Sequence, residues 1–310
     1  MNLTLQILLS GLAAGSVYGL LAVGHTLVYR LTGIVHFALG DLVGLGVFVA
    51  LFVTSGRGPV TAASASSWRF AVGLVVALLV TAALGSGSYF AVIHQYVTRG
   101  STLGWVAATV AIAFAIENTL AVVFQRPAYV FPDPLPFRKA GNDGIVSLGG
   151  ATFQLRSLFV IALGIVLAAA VTHVIRRTSF GRGLQAIAAD SEGARIVGVP
   201  VTALVAGAFG LVGGLAALAA IAAAPNGPFD TGTGVLLGLK GLVAALVVRF
   251  GSPWRAFGAG IVLGIAEAAV AGLPVDGHEL GAQYREVLPF ALVLLFTAVR
   301  PAREALEEQE

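Results

Sequence analysis

Arg176-Arg-Thr-Ser-Phe-Gly-Arg-Gly-Leu-Gln-Ala-Ile-Ala-Ala-Asp-Ser-Glu-Gly-Ala-Arg-Ile-Val-Gly-Val-Pro200 is the longest polar, helix-forming interruption in an otherwise apolar chain. Long apolar runs flank it, Leu158–Ile175 before and Val201–Ala223 after. Gly181–Ala189 reads as a short helix with Leu184, Ile187 and Ala188 on one face. Asp190 is a natural N-cap for a second helix over Ser191–Val197, which Gly198 and Pro200 terminate. A pair of short amphipathic helices between two membrane spans suits docking into the groove of a partner protein. The plainer reading is a basic loop that only fixes topology.

The surrounding composition decides the class. Of the 310 residues, 57% are hydrophobic and 11% charged, whereas a soluble domain averages about 25% charged. So few charges cannot cover a globule of this size, and the chain reads as an all-α, polytopic integral membrane protein. The 40 glycines sit inside apolar runs, where small residues let helix backbones approach closely. With no cysteine, disulfides and Cys-based metal sites or nucleophiles are excluded. The net charge of +3 gives no reason to expect nucleic acid. The N-terminus lacks a Lys/Arg-rich leader segment, so no cleavable signal peptide is expected.

Taken in order, the spans are Leu3–Tyr29, Ile34–Val53, Phe70–Ile93, Thr102–Phe124, Leu158–Ile175, Val201–Ala223, Val235–Val248, Ala256–Leu273 and Glu286–Val299. Ile34–Val53 holds His36, Asp41 and several glycines, and Val235–Val248 is short and carries Lys240. Both predict broken or partly re-entrant helices lining a cavity, so the count is eight or nine crossings. The proline-rich segment 125–156 is the largest extramembrane stretch, and its Ile-Val-Ser-Leu and Thr-Phe-Gln-Leu runs predict a small β-hairpin. The Lys/Arg bias places the 176–200 loop in the cytoplasm with Arg30, Arg99, Arg249, Arg255, Arg300 and Arg303, and segment 125–156 outside. The N-terminus is then outside for nine crossings and inside for eight. Residues 1–310 form one transmembrane domain ending in an acidic tail.

No catalytic constellation is present. There is no phosphate-cradling Gly-x-x-x-x-Gly-Lys-Ser/Thr, no His-x-x-x-His and no Gly-x-Ser-x-Gly. The chain is expected to be no enzyme and to need no cofactor or metal. Its intramembrane ionisable residues are Asp41, Glu117, Lys240 and Glu267. A charge in the bilayer core costs about 2.5–3.5 kcal/mol or more, so these residues must pair or line a water-filled path. Lys240, the one lysine in a span, can pair with Glu117 or Glu267. With His36 these four are the candidate translocation pathway, structural pairing being the alternative.

Gly181–Val199 closely resembles the cytoplasmic coupling loop of the branched-chain amino acid ABC transporter permeases, Gly-x-Ala-x-Arg-Ala-x-Ala-x-Asp-x-Glu-Ala-Ala-x-x-x-Gly-Ile. Gly11–Tyr29 resembles that family's first helix. Thr32-Gly-Ile-Val-His-Phe-Ala-Leu-Gly-Asp41 resembles its Thr-Gly-Val-Ile-Asn-Phe-Ala-His-Gly-Glu/Asp segment, and Leu239-Lys-Gly-Leu-Val-Ala-Ala-Leu-Val247 its Leu-Lys-Ala-Phe-Val-Ala-Ala-Val-Leu. The likeness spans nearly the whole chain and is closest to the first, LivH-like permease of such systems. Three places depart from the pattern. His36 and Leu39 stand at the family's Asn and His, Gln185 stands at the coupling arginine, and Val248-Arg-Phe-Gly-Ser252 replaces Gly-Gly-x-Gly-Ser.

The resemblance implies a multi-pass subunit of a bacterial inner-membrane importer. A second permease would complete the pathway, two ATP-binding subunits would dock on the cytoplasmic side, and a periplasmic solute-binding protein would deliver the substrate; the remaining contacts are with membrane lipid. Arg182, Gln185, Asp190, Glu192 and Arg195 would make the polar ATPase contacts, Leu184 and Ile187 the apolar anchor, and Gly198 would keep the loop rigid. The solute expected is a branched-chain or related hydrophobic amino acid. Urea or short amides are the alternative cargo, and an ion-coupled secondary transporter is the alternative machine.

Overall fold

The computed structural model describes residues 3–56, 67–99, 104–125, 127–132, 145–148, 151–272, 274–275 and 278–279, with two isolated positions, 287 and 291. The expected last span, Glu286–Val299, the acidic tail and most of the proline-rich segment lie outside the described residues.

The chain is built of helices: α1 (Leu3–Thr32), α2 (Leu39–Ser55), α3 (Ser67–Ser88), α4 (His94–Arg99), α5 (Gly104–Val123), α6 (Leu155–Arg177), α7 (Ser179–Ala189), α8 (Ser191–Ile196), α9 (Val201–Ala223), α10 (Thr233–Val247) and α11 (Pro253–Gly272). A π-helical turn, Tyr89–Ile93, joins α3 to α4. Among the described residues, six helical stretches are long and apolar enough to cross a membrane, and α2 and α10 are shorter apolar helices. The molecule is a multi-pass membrane protein. The predicted hairpin is present as β1 (Ile145–Leu148) against β2 (Ala151–Gln154), antiparallel. A second, two-residue pair joins β3 (Pro274–Val275) to β4 (His278–Glu279).

Glycines set the helix spacing. On α1, Gly11, Gly15 and Gly19 recur every four residues and face Gly260 and Gly264 of α11, so closely that a methyl group on Gly264 would meet the Gly15 backbone. Gly40 and Gly44 of α2 cross Gly238 and Gly234 of α10 in the same way, antiparallel.

Arg30 and Leu31 at the end of α1, Leu184 and Gln185 of α7, and Pro253 at the start of α11 share one niche. The end of α1, the 176–200 loop and the Arg249–Arg255 turn therefore lie on one face, as the charge bias predicts. Ser10 near the start of α1 instead shares the opposite face with Gln154 and Asn226. That is the arrangement expected for nine crossings. From here the 176–200 face is called inner and its opposite outer.

With those directions fixed, α1–α2–α3 and α9–α10–α11 have the same plan in opposite senses: a long span, a break, a short helix and another span. The exchange is reciprocal, since α1 packs on α11 and α9 on α3. This is the pattern of an inverted-topology repeat.

The two short helices do not reach across alone. α2 has 17 residues and α10 has 15, roughly 25 and 22 Å of helix against about 30 Å of hydrocarbon. In the first unit, Gly33 turns the chain at φ +71°. The non-helical segment 33–38 then climbs back until Leu39 reaches Gly24. Ile34, His36 and Ala38 are buried, as non-helical backbone at membrane depth must be. In the second unit, segment 224–232 makes the corresponding break. Asp230 caps the helix that follows by accepting from the Thr233 N–H at 2.7 Å, while the Thr233 hydroxyl accepts from the Asp230 N–H at 3.1 Å.

Two further features tie the outer face together. Tyr129 and Phe229 exchange both backbone hydrogen bonds, at 2.9 and 2.8 Å, and their rings close around Phe48 and Phe124. Arg156, which the sequence assigns to the outer segment, is buried in the first turn of α6 and donates to the Ala222 carbonyl at the end of α9. On the inner face, Arg249 and Phe250 both take positive φ, 54° and 51°. Phe250 is held there by stacking on Tyr29 at 4.0 Å.

Candidate functional site

Lys240 on α10 and Glu267 on α11 are brought together by α1. Close glycine packing draws α11 onto α1, and Gly241 seats α10 against Leu21. Lys240 Nζ lies 3.2 Å from Glu267 Oε2, the Tyr18 hydroxyl of α1 donates to that oxygen at 2.9 Å, and the ammonium donates to the Tyr18 oxygen at 3.4 Å. The ammonium also stands 5.2 Å from the Tyr18 ring centroid, within cation–π range. Lys240 and Glu267 are 5% and 1% exposed. Each charge is tolerable at this depth because the other neutralises it and Tyr18 supplies a further hydrogen bond.

Of the two pairings open to Lys240, the one with Glu267 is formed. Glu117 on α5 is half-buried and interacts electrostatically with Asp41, which is buried in the first turn of α2. His36 stands apart from both groups, in the break before α2, its ring tilted against Phe209 at 5.3 Å. The five expected pathway residues thus fall into one ion pair, two carboxylates that interact electrostatically, and one imidazole set apart from both.

Above Tyr18 a cavity of about 430 Å³ opens toward the outer face, within the range of small-molecule sites. Its walls are apolar, from Ala13, Val17, Ala220 and Leu237, and its rim is polar, from Ser10, Gln154, Ser157, Asn226 and Thr233. Tyr18 forms the floor and has the ion pair behind it. Neither Tyr18 nor this rim is singled out by the sequence. The one signal for them is a tyrosine in the middle of an apolar span, whose hydroxyl must find a partner when buried.

On the inner face, the 176–200 loop folds as the two helices expected, with the first beginning two residues earlier. Thr178 caps α7 by accepting from the Gly181 N–H at 3.0 Å. Asp190 caps α8, accepting from the N–H groups of Glu192 and Gly193 at 3.0 Å each. The end of α8 is a Schellman turn: Val199 N–H donates to Ala194 O, Gly198 N–H donates to Arg195 O, and Gly198 takes φ +83°.

One expectation is corrected. The resemblance assigns Leu184 and Ile187 to a partner's groove, but they are 1% and 3% exposed. Leu184 faces Thr26, Leu27, Leu31 and Ile175 of its own chain. The apolar stripe of α7 is answered by the nearest apolar surface, the chain's own bundle. Gln185 stays exposed, its amide donating to the Ile175 carbonyl at the end of α6. What faces outward is polar, namely Arg182, Asp190, Glu192 and Arg195. Two apolar side chains that the helical pattern does not single out join them, Ile196 at 84% and Val197 at 77% exposure.

Residues 7–297 match the family described as branched-chain amino acid transport system / permease component. The high-affinity branched-chain amino acid transport system permease protein BraD of Pseudomonas aeruginosa is 27% identical over 300 residues, covering 96% of this chain and 94% of the relative. The permease protein LivH of Escherichia coli K12, described in the same terms, is 27% identical over 303 residues with the same coverage. LivH of Salmonella typhimurium matches equally.

Proposed function

The chain belongs to the branched-chain amino acid transport permease family, and we propose that it is the LivH-like permease subunit of an ATP-driven importer of branched-chain or related hydrophobic amino acids. The observation that carries this reading is the outward cavity floored by Tyr18 over the buried Lys240–Glu267 pair. Its size and its apolar walls under a polar rim suit an amino acid with an aliphatic side chain. In this reading residues 1–310 act as one transmembrane domain in the bacterial inner membrane.

A second permease completes the pathway, and a periplasmic binding protein loads the outer face. ATP is hydrolysed on two separate ATP-binding subunits, and this chain is no enzyme and holds no cofactor. Those subunits receive Arg182, Asp190, Glu192 and Arg195, with Ile196 and Val197 replacing Leu184 and Ile187 as the apolar anchor. Gln185 and Gly198 brace the loop. His36, Asp41, Glu117, Lys240 and Glu267 line or support the pathway.

The test is uptake of radiolabelled leucine, isoleucine and valine in cells that depend on this chain. Uptake is expected to stop on ATP depletion and to survive an uncoupler when ATP is maintained. Loss with the uncoupler alone would instead identify an ion-coupled transporter. No ATP-dependent uptake of the labelled amino acids, with uptake of labelled urea or short amides in their place, would move the cargo to those solutes.

A further inference from the structure

Above the Tyr18–Lys240–Glu267 cluster a cavity opens to the outer face, and below it the described residues around His25, Thr26 and His36 are buried, a shut region. Among the described residues of the shut region, three carry buried polar side-chain atoms with no hydrogen-bond partner. They are both ring nitrogens of His36, the Thr26 hydroxyl and Nδ1 of His25. The residues are 2%, 0% and 3% exposed. The other ring nitrogen of His25, Nε2, lies 3.1 Å from the Gly238 carbonyl.

The three are not scattered. His25 and Thr26 stand about two helical turns, roughly 10 Å, below Tyr18 on the same helix. His25 interacts electrostatically with His36, which the non-helical segment 33–38 inserts at this depth. Thr26 lines the small niche shared with Leu184, Gln185 and Pro253, directly behind the inner helix pair.

A well-packed apolar seal would place aliphatic side chains at these positions. Buried polar groups are nearly always hydrogen-bonded, and a cluster of exceptions needs a reason. Here a second conformation supplies it, because groups left unpartnered when the inner half is closed gain partners when water and solute reach them. The same non-helical backbone is tolerated at this depth only where protein buries it or a cavity runs past it.

We infer that His25, Thr26 and His36 form the inner half of the solute pathway, uncovered when the chain opens toward the 176–200 loop. The inference rests on the permease reading above and assigns it a specific inner surface. The ligand class is a hydrated, amino-acid-sized zwitterion. Its charged ends meet neutral donors and acceptors on this stretch, not a fixed ion that would hold it. The structure is then the outward-facing state. Motion of the inner helix pair, which touches Thr26 through the shared niche, opens the seal.

The chain has no cysteine, so a single introduced thiol is unique within it. Thr26→Cys, His36→Cys, Ser10→Cys in the outer cavity and Val212→Cys, an apolar neighbour of Gly24, are each assembled with their partner subunits in inverted membrane vesicles. A membrane-impermeant methanethiosulfonate is added from the inner face, with the ATPases nucleotide-free or trapped. Thr26→Cys and His36→Cys are expected to react about tenfold faster or more in one nucleotide state than in the other. Ser10→Cys, probed from the outer face in right-side-out vesicles, takes the opposite preference, and Val212→Cys stays inert in both. Inert or state-independent Thr26→Cys and His36→Cys would overturn the inference.

A second measurement separates lining from packing. His36→Leu is expected to raise the unfolding temperature of the purified chain, because it removes unpartnered polar atoms, while lowering uptake about tenfold. His36→Asn should restore part of that uptake. A fall in unfolding temperature with His36→Leu would mark the histidine as structural and overturn its assignment to the pathway. Failure of the wild-type vesicles to take up any amino acid with ATP would count against the permease reading itself, separately from the labelling pattern.

Discussion

Lys240 and Glu267 meet 3.2 Å apart, on neighbouring helices and almost wholly out of reach of water. Each charge depends on the other. Lys240→Ala should therefore destabilise the chain by about 3–5 kcal/mol, the cost of removing one partner of a buried ion pair. The double variant Lys240→Met/Glu267→Leu should recover most of that loss without recovering uptake. Thermal unfolding in detergent, run as a double-mutant cycle beside uptake, checks both halves.

Tyr18→Phe keeps the ring that floors the cavity and removes only the hydroxyl that donates to Glu267. A hydrogen bond to a charged group contributes about 1.5–3 kcal/mol, so a drop of that order in unfolding free energy is expected. An unchanged value would mean that Glu267 is satisfied without it.

Arg249 occupies the left-handed region at φ 54°, where a non-glycine residue costs roughly 1–2 kcal/mol. The family pattern places glycine in this turn. Arg249→Gly should raise the unfolding temperature, whereas Phe250→Gly should lower it, because Phe250 is buried and stacked on Tyr29. The pair of variants separates backbone strain from packing at adjacent positions.

Ile196→Asp and Val197→Asp change two exposed side chains. They should leave insertion and thermal stability within about 0.5 kcal/mol while abolishing ATP-driven uptake. Leu184→Ala does the reverse of a docking variant: it should cost about 2–5 kcal/mol of the chain's own stability. If Leu184→Ala uncouples uptake at full stability, the apolar anchor belongs to α7 after all.

Gly198→Ala forces a side chain into φ +83° and loosens the Schellman turn that ends α8. Asp190→Ala removes the acceptor for two N–H groups and should cost about 1 kcal/mol locally. Faster proteolysis of the loop in inverted vesicles, with the spans intact, is the expected readout for both.

Periodicity and turn chemistry make much of this fold legible in the amino-acid sequence. The hairpin at 145–154, the Asp190 cap, the Gly198 stop and the short α2 and α10 all follow from local rules. The ionisable residues point to a pair that includes Lys240, but spacing does not choose Glu267 over Glu117, because that choice depends on which helices the glycines bring together. Leu184 shows the other limit. An apolar stripe says that a face will be covered, not by what, and here the chain covers its own. Tyr18 is hard to see because a hydroxyl on an aromatic ring barely disturbs an apolar run.

Phe229 is at once part of the cavity wall and one half of the backbone exchange with Tyr129. Two oppositely directed hydrogen bonds across this pair, backed by the rings of Phe48 and Phe124, behave as a rivet rather than a hinge. A body leaning on the outer face near residues 127–132 cannot displace that segment alone; the wall beside Thr233 shifts with it. The outer surface and the chamber below it are mechanically one piece, so pressure from outside is felt by the solute before any span has moved.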